Sequence, residues 1–94
     1  MTDMLAALKA KFLERCAGDL DRLERLMASD GLGSDEMRFL AHSLSGAAGT
    51  FGFPEISAAA AVADEAFADG GTPEHAEARH LAEALKRALP TPKN

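Results

Sequence analysis

Tryptophan and tyrosine are missing from this chain, and cysteine occurs once, as Cys16. One thiol cannot build an internal disulfide framework, and it fits a reducing compartment. β-Branched residues are few, which removes the usual material of strands. No apolar run approaches the ~20 residues that span a bilayer, and the amino terminus carries Asp3 where a secretory leader would be basic. Basic residues are also short: 10 Lys and Arg stand against 15 Asp and Glu, a net charge of −5 with no clustered basic stripe. That balance excludes a nucleic-acid surface. A cytoplasmic protein that binds neither membrane nor nucleic acid is expected. Nucleotide-binding signatures are absent as well.

What is present is alanine-rich and helix-forming, with 47% hydrophobic residues in 94. That length makes one domain, residues 1–94, with a single core. The Met1 start and the proline-containing tail point to a free-standing protein. Apolar periodicity divides the chain into four helical segments. In the first, Leu5, Leu8, Phe12, Cys16, Leu20, Leu23 and Met27 recur every three or four residues, as one long helix or two collinear ones broken near Gly18. The charges between Glu14 and Arg25 read as a solvated face with helical salt bridges. After the turn formers Ser29 to Gly33, Ser34 caps a second helix that runs to about Phe51, with Asp35 and Glu36 in its first turn. Gly52 and Pro54 separate it from a third helix carrying Ile56, Ala59, Ala60, Ala63 and Phe67, which ends at Gly70-Gly71. Thr72-Pro73 reads as the cap and first position of a fourth helix with Ala78, Leu81, Leu85 and Leu89 inward, stopped by Pro90 and Pro92. The fold class is all-α: an antiparallel, up-down four-helix bundle.

The second helix holds an anomaly. Gly46 and Gly49 lie inside it, at a combined cost of about 2 kcal/mol relative to alanine. Both lie beside His42. On a helical wheel Met37, Leu40, Leu44, Ala47, Ala48 and Phe51 gather on one side and face the core. Asp35, Arg38, His42, Ser45, Gly46 and Gly49 gather on the other, with Phe39 at the edge of that outer stripe. An exposed imidazole is nucleophilic near neutral pH and forms a reactive phosphoramidate. Phosphoryl transfer needs attacking and leaving groups in line, so the acceptor must stand clear of its own helix. Gly46, one turn on, removes an obstructing side chain, and Arg38, one turn back, offers a positive charge to phosphoryl oxygens. The glycines also fit a small-residue packing seam between helices, Gly49 more readily than Gly46.

His42-Ser43-Leu44-Ser45-Gly46, followed by Gly49 and Gly52, resembles the His-x-Leu-Lys-Gly-x-x-x-x-x-Gly motif of histidine phosphotransfer (Hpt) domains. The run Gly49-Thr50-Phe51-Gly52-Phe53 is similar to the phosphotransfer domain of chemotaxis-type histidine kinases, and the resemblance extends from about Phe39 to Phe67. It implies a four-helix bundle whose exposed histidine, here His42, exchanges phosphoryl groups with receiver-domain aspartates. Implied partners are a response-regulator receiver domain, a hybrid histidine kinase, or both, met by a monomer. No cofactor is implied, and magnesium belongs in the receiver's acidic site. Two positions depart from the pattern. Ser45 stands where the family has a lysine that interacts with the phosphorylated histidine, and Asp64 stands where chemotaxis-type relatives bond a glutamate to the ring.

Three functions compete. In the first, His42 accepts and donates a phosphoryl group, supported by Arg38, Ser45 and Asp64, while Phe39, Gly46 and Gly49 meet the partner. No autokinase activity accompanies it. The second is a chemically silent module of the same shape that sequesters a receiver or kinase, an alternative that Ser45 keeps open. The third is a metal-binding bundle using the Glu77-x-x-His80 pair. It lacks the second such pair that a di-metal centre needs.

Overall fold

Each helix starts and stops on an identifiable local device. The computed structural model describes residues 3–90 and places four helices there: α1 (Met4–Ala28), α2 (Asp35–Thr50), α3 (Pro54–Ala68) and α4 (His75–Ala88). The Asp3 carboxylate accepts from the Leu5 amide at 3.0 Å, and the Ser34 hydroxyl accepts from the Met37 amide at 3.1 Å. α1 runs unbroken through Gly18, so the single-helix alternative holds.

α2 and α3 end in the same way. At the end of α2 the Phe53 amide donates back to the Ala48 carbonyl and Gly52 to Gly49, with Gly52 at φ 84°. At the end of α3 the Gly71 amide donates to Ala66 and Gly70 to Phe67, with Gly70 at φ 87°. Both are Schellman closures with a glycine in the left-handed position. The last glycine of the motif therefore serves the turn.

The start of α4 departs from the sequence expectation. The helix begins at His75, with Glu74 as cap residue, two residues beyond the expected Thr72-Pro73. The Glu77 carboxylate accepts from the Glu74 amide at 2.9 Å, the capping-box bond that marks Glu74 as the cap residue. Pro73 is instead buried under the loop. Glu77, one half of the Glu-x-x-His pair, is thereby committed to the helix start. Pro92 lies outside the described residues.

Short connections make sequential helices neighbours, and each helix packs on the two beside it: α2 on α3, α3 on α4, α4 on α1 and α1 on α2. The result is the antiparallel four-helix bundle. α2 and α3 are the most closely packed pair, and α1 touches α2 most lightly. Leu23, Met37, Leu44, Ile56, Leu81 and Leu85 are fully buried and form the centre of the core. Near one end Phe12 stacks on Phe51 and meets Phe53 at a tilt, with ring centroids 5.2 and 5.4 Å apart, which plugs the α2–α3 turn. Phe51 and Ala47, expected in the core, are half-buried at its margin.

Two readings of α1 require correction. Its buried stripe is Phe12, Cys16, Asp19, Leu23 and Leu26, shifted from the expected path through Leu20 and Met27. Leu5 and Leu8, also expected on the stripe, are exposed. Asp19, expected on a solvated face, is 5% exposed. It stays ionically paired because Arg15 Nε and Arg22 Nη1 both approach its carboxylate at 3.1 Å. A charge in that position must be matched, and these two arginines match it from the rim.

Candidate functional site

The Ser34 cap fixes where α2 begins, and helical periodicity then sets which residues emerge two turns later. His42 emerges on the open face with its side chain 77% exposed. Its Nδ1 lies 3.2 Å from Oδ2 of Asp64 on α3. That contact fixes the ring: a neutral imidazole that donates from Nδ1 carries its free lone pair on Nε2. The lone pair is directed away from Asp64 toward solvent.

An open groove of about 350 Å³ surrounds the ring, lined by Asp35, Arg38, Phe39, His42 and Asp64. Arg38 thus shares the groove with the imidazole, as its spacing one turn back requires. Phe39 is 73% exposed and stands as a ridge between this groove and a second one of about 420 Å³ on the α1 side. An aromatic ring that exposed has no partner inside its own core.

The expected site residues separate into groups. His42, Arg38, Asp64 and Phe39 meet around one groove. Gly46 lies one turn on, exposed, and a Cβ built there would find no atom within 4 Å. Gly49 is different: a Cβ there would lie 3.3 Å from the Ser57 hydroxyl oxygen, so its bareness gives room to α3. Ser45 turns inward along its own helix, donating at 3.0 Å to the His42 carbonyl. Its hydroxyl is therefore engaged by backbone.

Two features beside the site were missed in the sequence. Arg15 of α1 crosses to α2, where Nη2 donates to the Ser43 hydroxyl at 2.7 Å, next door to His42. Ser57 of α3 donates to the Ser45 carbonyl at 2.7 Å. The Arg15 signal was available in principle: Asp19 follows it by four residues and falls on the three- and four-residue spacing of Phe12, Cys16, Leu23 and Leu26. Ser57 carries no such signal, because the target of its bond is a backbone atom.

Comparison with known proteins agrees with the four-helix fold. The Hpt domain family matches the chain over residues 7–91, nearly the whole of the four helices. The chain belongs to the Hpt family. The match takes in the outer helices α1 and α4 as well as the histidine motif. No curated protein and no solved structure gives a match. Membership of the Hpt family carries a histidine phosphotransfer role in two-component signalling, with receiver domains and kinases as the interacting classes. Among the described residues, no helix is long and apolar enough to cross a membrane.

Proposed function

We propose that this Hpt protein is a phosphorelay intermediate in which Nε2 of His42 accepts a phosphoryl group from a receiver aspartyl phosphate and returns it to a receiver aspartate. The observation that carries this reading is the His42–Asp64 contact at 3.2 Å on an otherwise open imidazole. The ring is held through one nitrogen and free at the other.

In the transfer step the Nε2 lone pair forms the N–P bond as the bond from phosphorus to the aspartate oxygen breaks. The aspartate leaves as a carboxylate with its electron pair. The imidazole keeps its Nδ1 proton and becomes positively charged, and the Asp64 carboxylate beside that proton stabilises the charge. No general base is needed. Arg38 faces the incoming phosphoryl oxygens from the same groove, and bare Gly46 leaves room for the partner's backbone. Magnesium resides in the receiver's acidic site, and the chain itself acts as a monomer without a cofactor. The aromatic run at Phe51 and Phe53, together with an acidic residue on the ring nitrogen, supports an analogy with chemotaxis-type phosphotransfer domains.

One observation favours the silent alternative. Ser45, at the position of the family lysine, bonds the His42 carbonyl and brings no charge to the site. Receiver domains charged with acetyl phosphate and magnesium, then mixed with the protein, separate the two readings. Acid-labile, alkali-stable label on the chain supports the relay; stable binding without label identifies a sequestering module.

A further inference from the structure

α3 is nearly smooth. Between Ser57 and Ala68 it carries alanine at 58, 59, 60, 61, 63, 66 and 68. Helices normally lock their sliding register by seating side-chain ridges in facing grooves, and alanine offers very shallow ridges. Yet Asp64 must stop at one height on α2 to meet the His42 ring. Among the described residues, two side-chain hydrogen bonds join α3 to α2: the Asp64–His42 contact itself, and Ser57 to the Ser45 carbonyl at 2.7 Å.

We propose that Ser57 is a positioning residue for the phosphotransfer site: its hydroxyl pins α3 on α2 and so holds Asp64 against Nδ1 of His42. Ser57 and Asp64 are seven residues apart, two helical turns or about 10.5 Å, and so share one face of α3. Their partners Ser45 and His42 are three residues apart on α2, on a single face as well. The helices run antiparallel, so the two bonds lie one above the other along the same seam. Gly49 completes the device, since a Cβ there would sit 3.3 Å from the Ser57 oxygen and crowd the hydroxyl where it bonds. The glycine that flanks the histidine on the far side thus serves the serine.

Asp35, Arg38 and Phe39 of α2 share the groove with the imidazole, and among the described residues none of them makes a side-chain hydrogen bond or ion pair to α3. Ser57 acts only through Asp64. Its functional consequence rests on the reading of His42 as phosphoacceptor, but its structural consequence does not.

Three variants test it: Ser57→Ala, Ser57→Val and Ser57→Thr. Valine and threonine share a shape and differ in the hydroxyl, so that pair separates the bond from packing. The readout is the tautomer of the His42 ring, from long-range ¹H–¹⁵N correlations recorded where the ring is neutral. In the parent and in Ser57→Thr, the proton is expected on Nδ1 with Nε2 bare. Ser57→Ala and Ser57→Val should lose that single-tautomer signature while retaining parental helicity, and transfer from a charged receiver should slow by about tenfold. A Ser57→Val signature identical to that of Ser57→Thr overturns the proposal, even if both shift the melting temperature. A parent that shows the Nδ1 proton yet takes no label contradicts the relay and leaves the positioning role standing.

Discussion

The two flanks of α2 are built from different material and do different work. Toward α3 the helices meet closely over small residues, and the bonds between them are short side chains: Asp64 on His42 and Ser57 on the Ser45 carbonyl. Toward α1 contact is sparse, and long side chains span the gap, with Arg15 on Ser43 and Arg22 Nε at 3.1 Å from Glu36. A short rigid side chain fixes position well, whereas a long arginine covers surface and tolerates movement. Under the proposed relay, chemistry belongs to the α3 flank and stability to the α1 flank, with Phe39 as the ridge between them.

The largest expected effect separates those roles. Asp64→Ala should slow phosphoryl transfer about 10- to 100-fold, because the ring loses its orienting partner, and should change stability by less than about 0.5 kcal/mol. Arg15→Ala should do the reverse: lower stability by about 1 kcal/mol and leave transfer near parental. Transfer kinetics and urea unfolding on both variants decide it. Equal transfer losses would erase the distinction between the flanks.

The buried chemistry of the α1 flank gives a pH signature. Burial pushes the Cys16 thiol up to about 11 from an ordinary 9.0, with the nearby Asp19 charge adding to the rise and Arg15 opposing it. The folded state therefore holds the thiol proton more tightly than the unfolded chain does. Stability is complete below about pH 9 and falls as pH rises toward 11, by up to about 2–3 kcal/mol. Denaturant titrations at pH 8 and pH 10.5 check this against Cys16→Ala, which should fall less across the same interval. An equal fall in both would remove the thiol from the account.

Glycine positions give the smallest effects and sharpen the contrast most. Gly18 and Gly46 both have open space where a Cβ would stand. Gly18→Ala and Gly46→Gln should each raise stability by up to about 1 kcal/mol through helix propensity. Only Gly46→Gln should reduce receiver binding and transfer. Parental transfer by a folded Gly46→Gln protein would show that the glycine is not there for access. Nothing in the structure explains Gly18.

The bundle was legible because each helix advertises itself by apolar spacing and by end signals such as Ser34 and Gly70. The errors arose where a local signal had a competitor. Thr72-Pro73 is a plausible helix start, but the Glu77 carboxylate, five residues after Thr72, captures the Glu74 amide and moves the start to His75. Asp19 looked solvated because charge outweighed its place on the apolar spacing, and only tertiary pairing with Arg15 and Arg22 makes its burial tolerable. At the site, the faces of α2 follow from 3.6-residue periodicity alone. The pairing of Asp64 with His42 depends on how far α3 slides along α2, which composition does not encode. A resemblance suggested it, and the Ser57 bond to a backbone carbonyl, invisible to any residue pattern, accompanies it.

The central claim is that His42 carries the phosphoryl group. Parent and His42→Gln proteins, each mixed with receiver domains charged from labelled acetyl phosphate, test it most directly. Because the side chain is exposed, His42→Gln should keep parental helicity and stability to within about 0.5 kcal/mol. The account predicts acid-labile, alkali-stable label on the parent, mapped to Nε2 of His42, and none on the variant. Label retained by folded His42→Gln, or found on His75 or His80 of the parent, would contradict it.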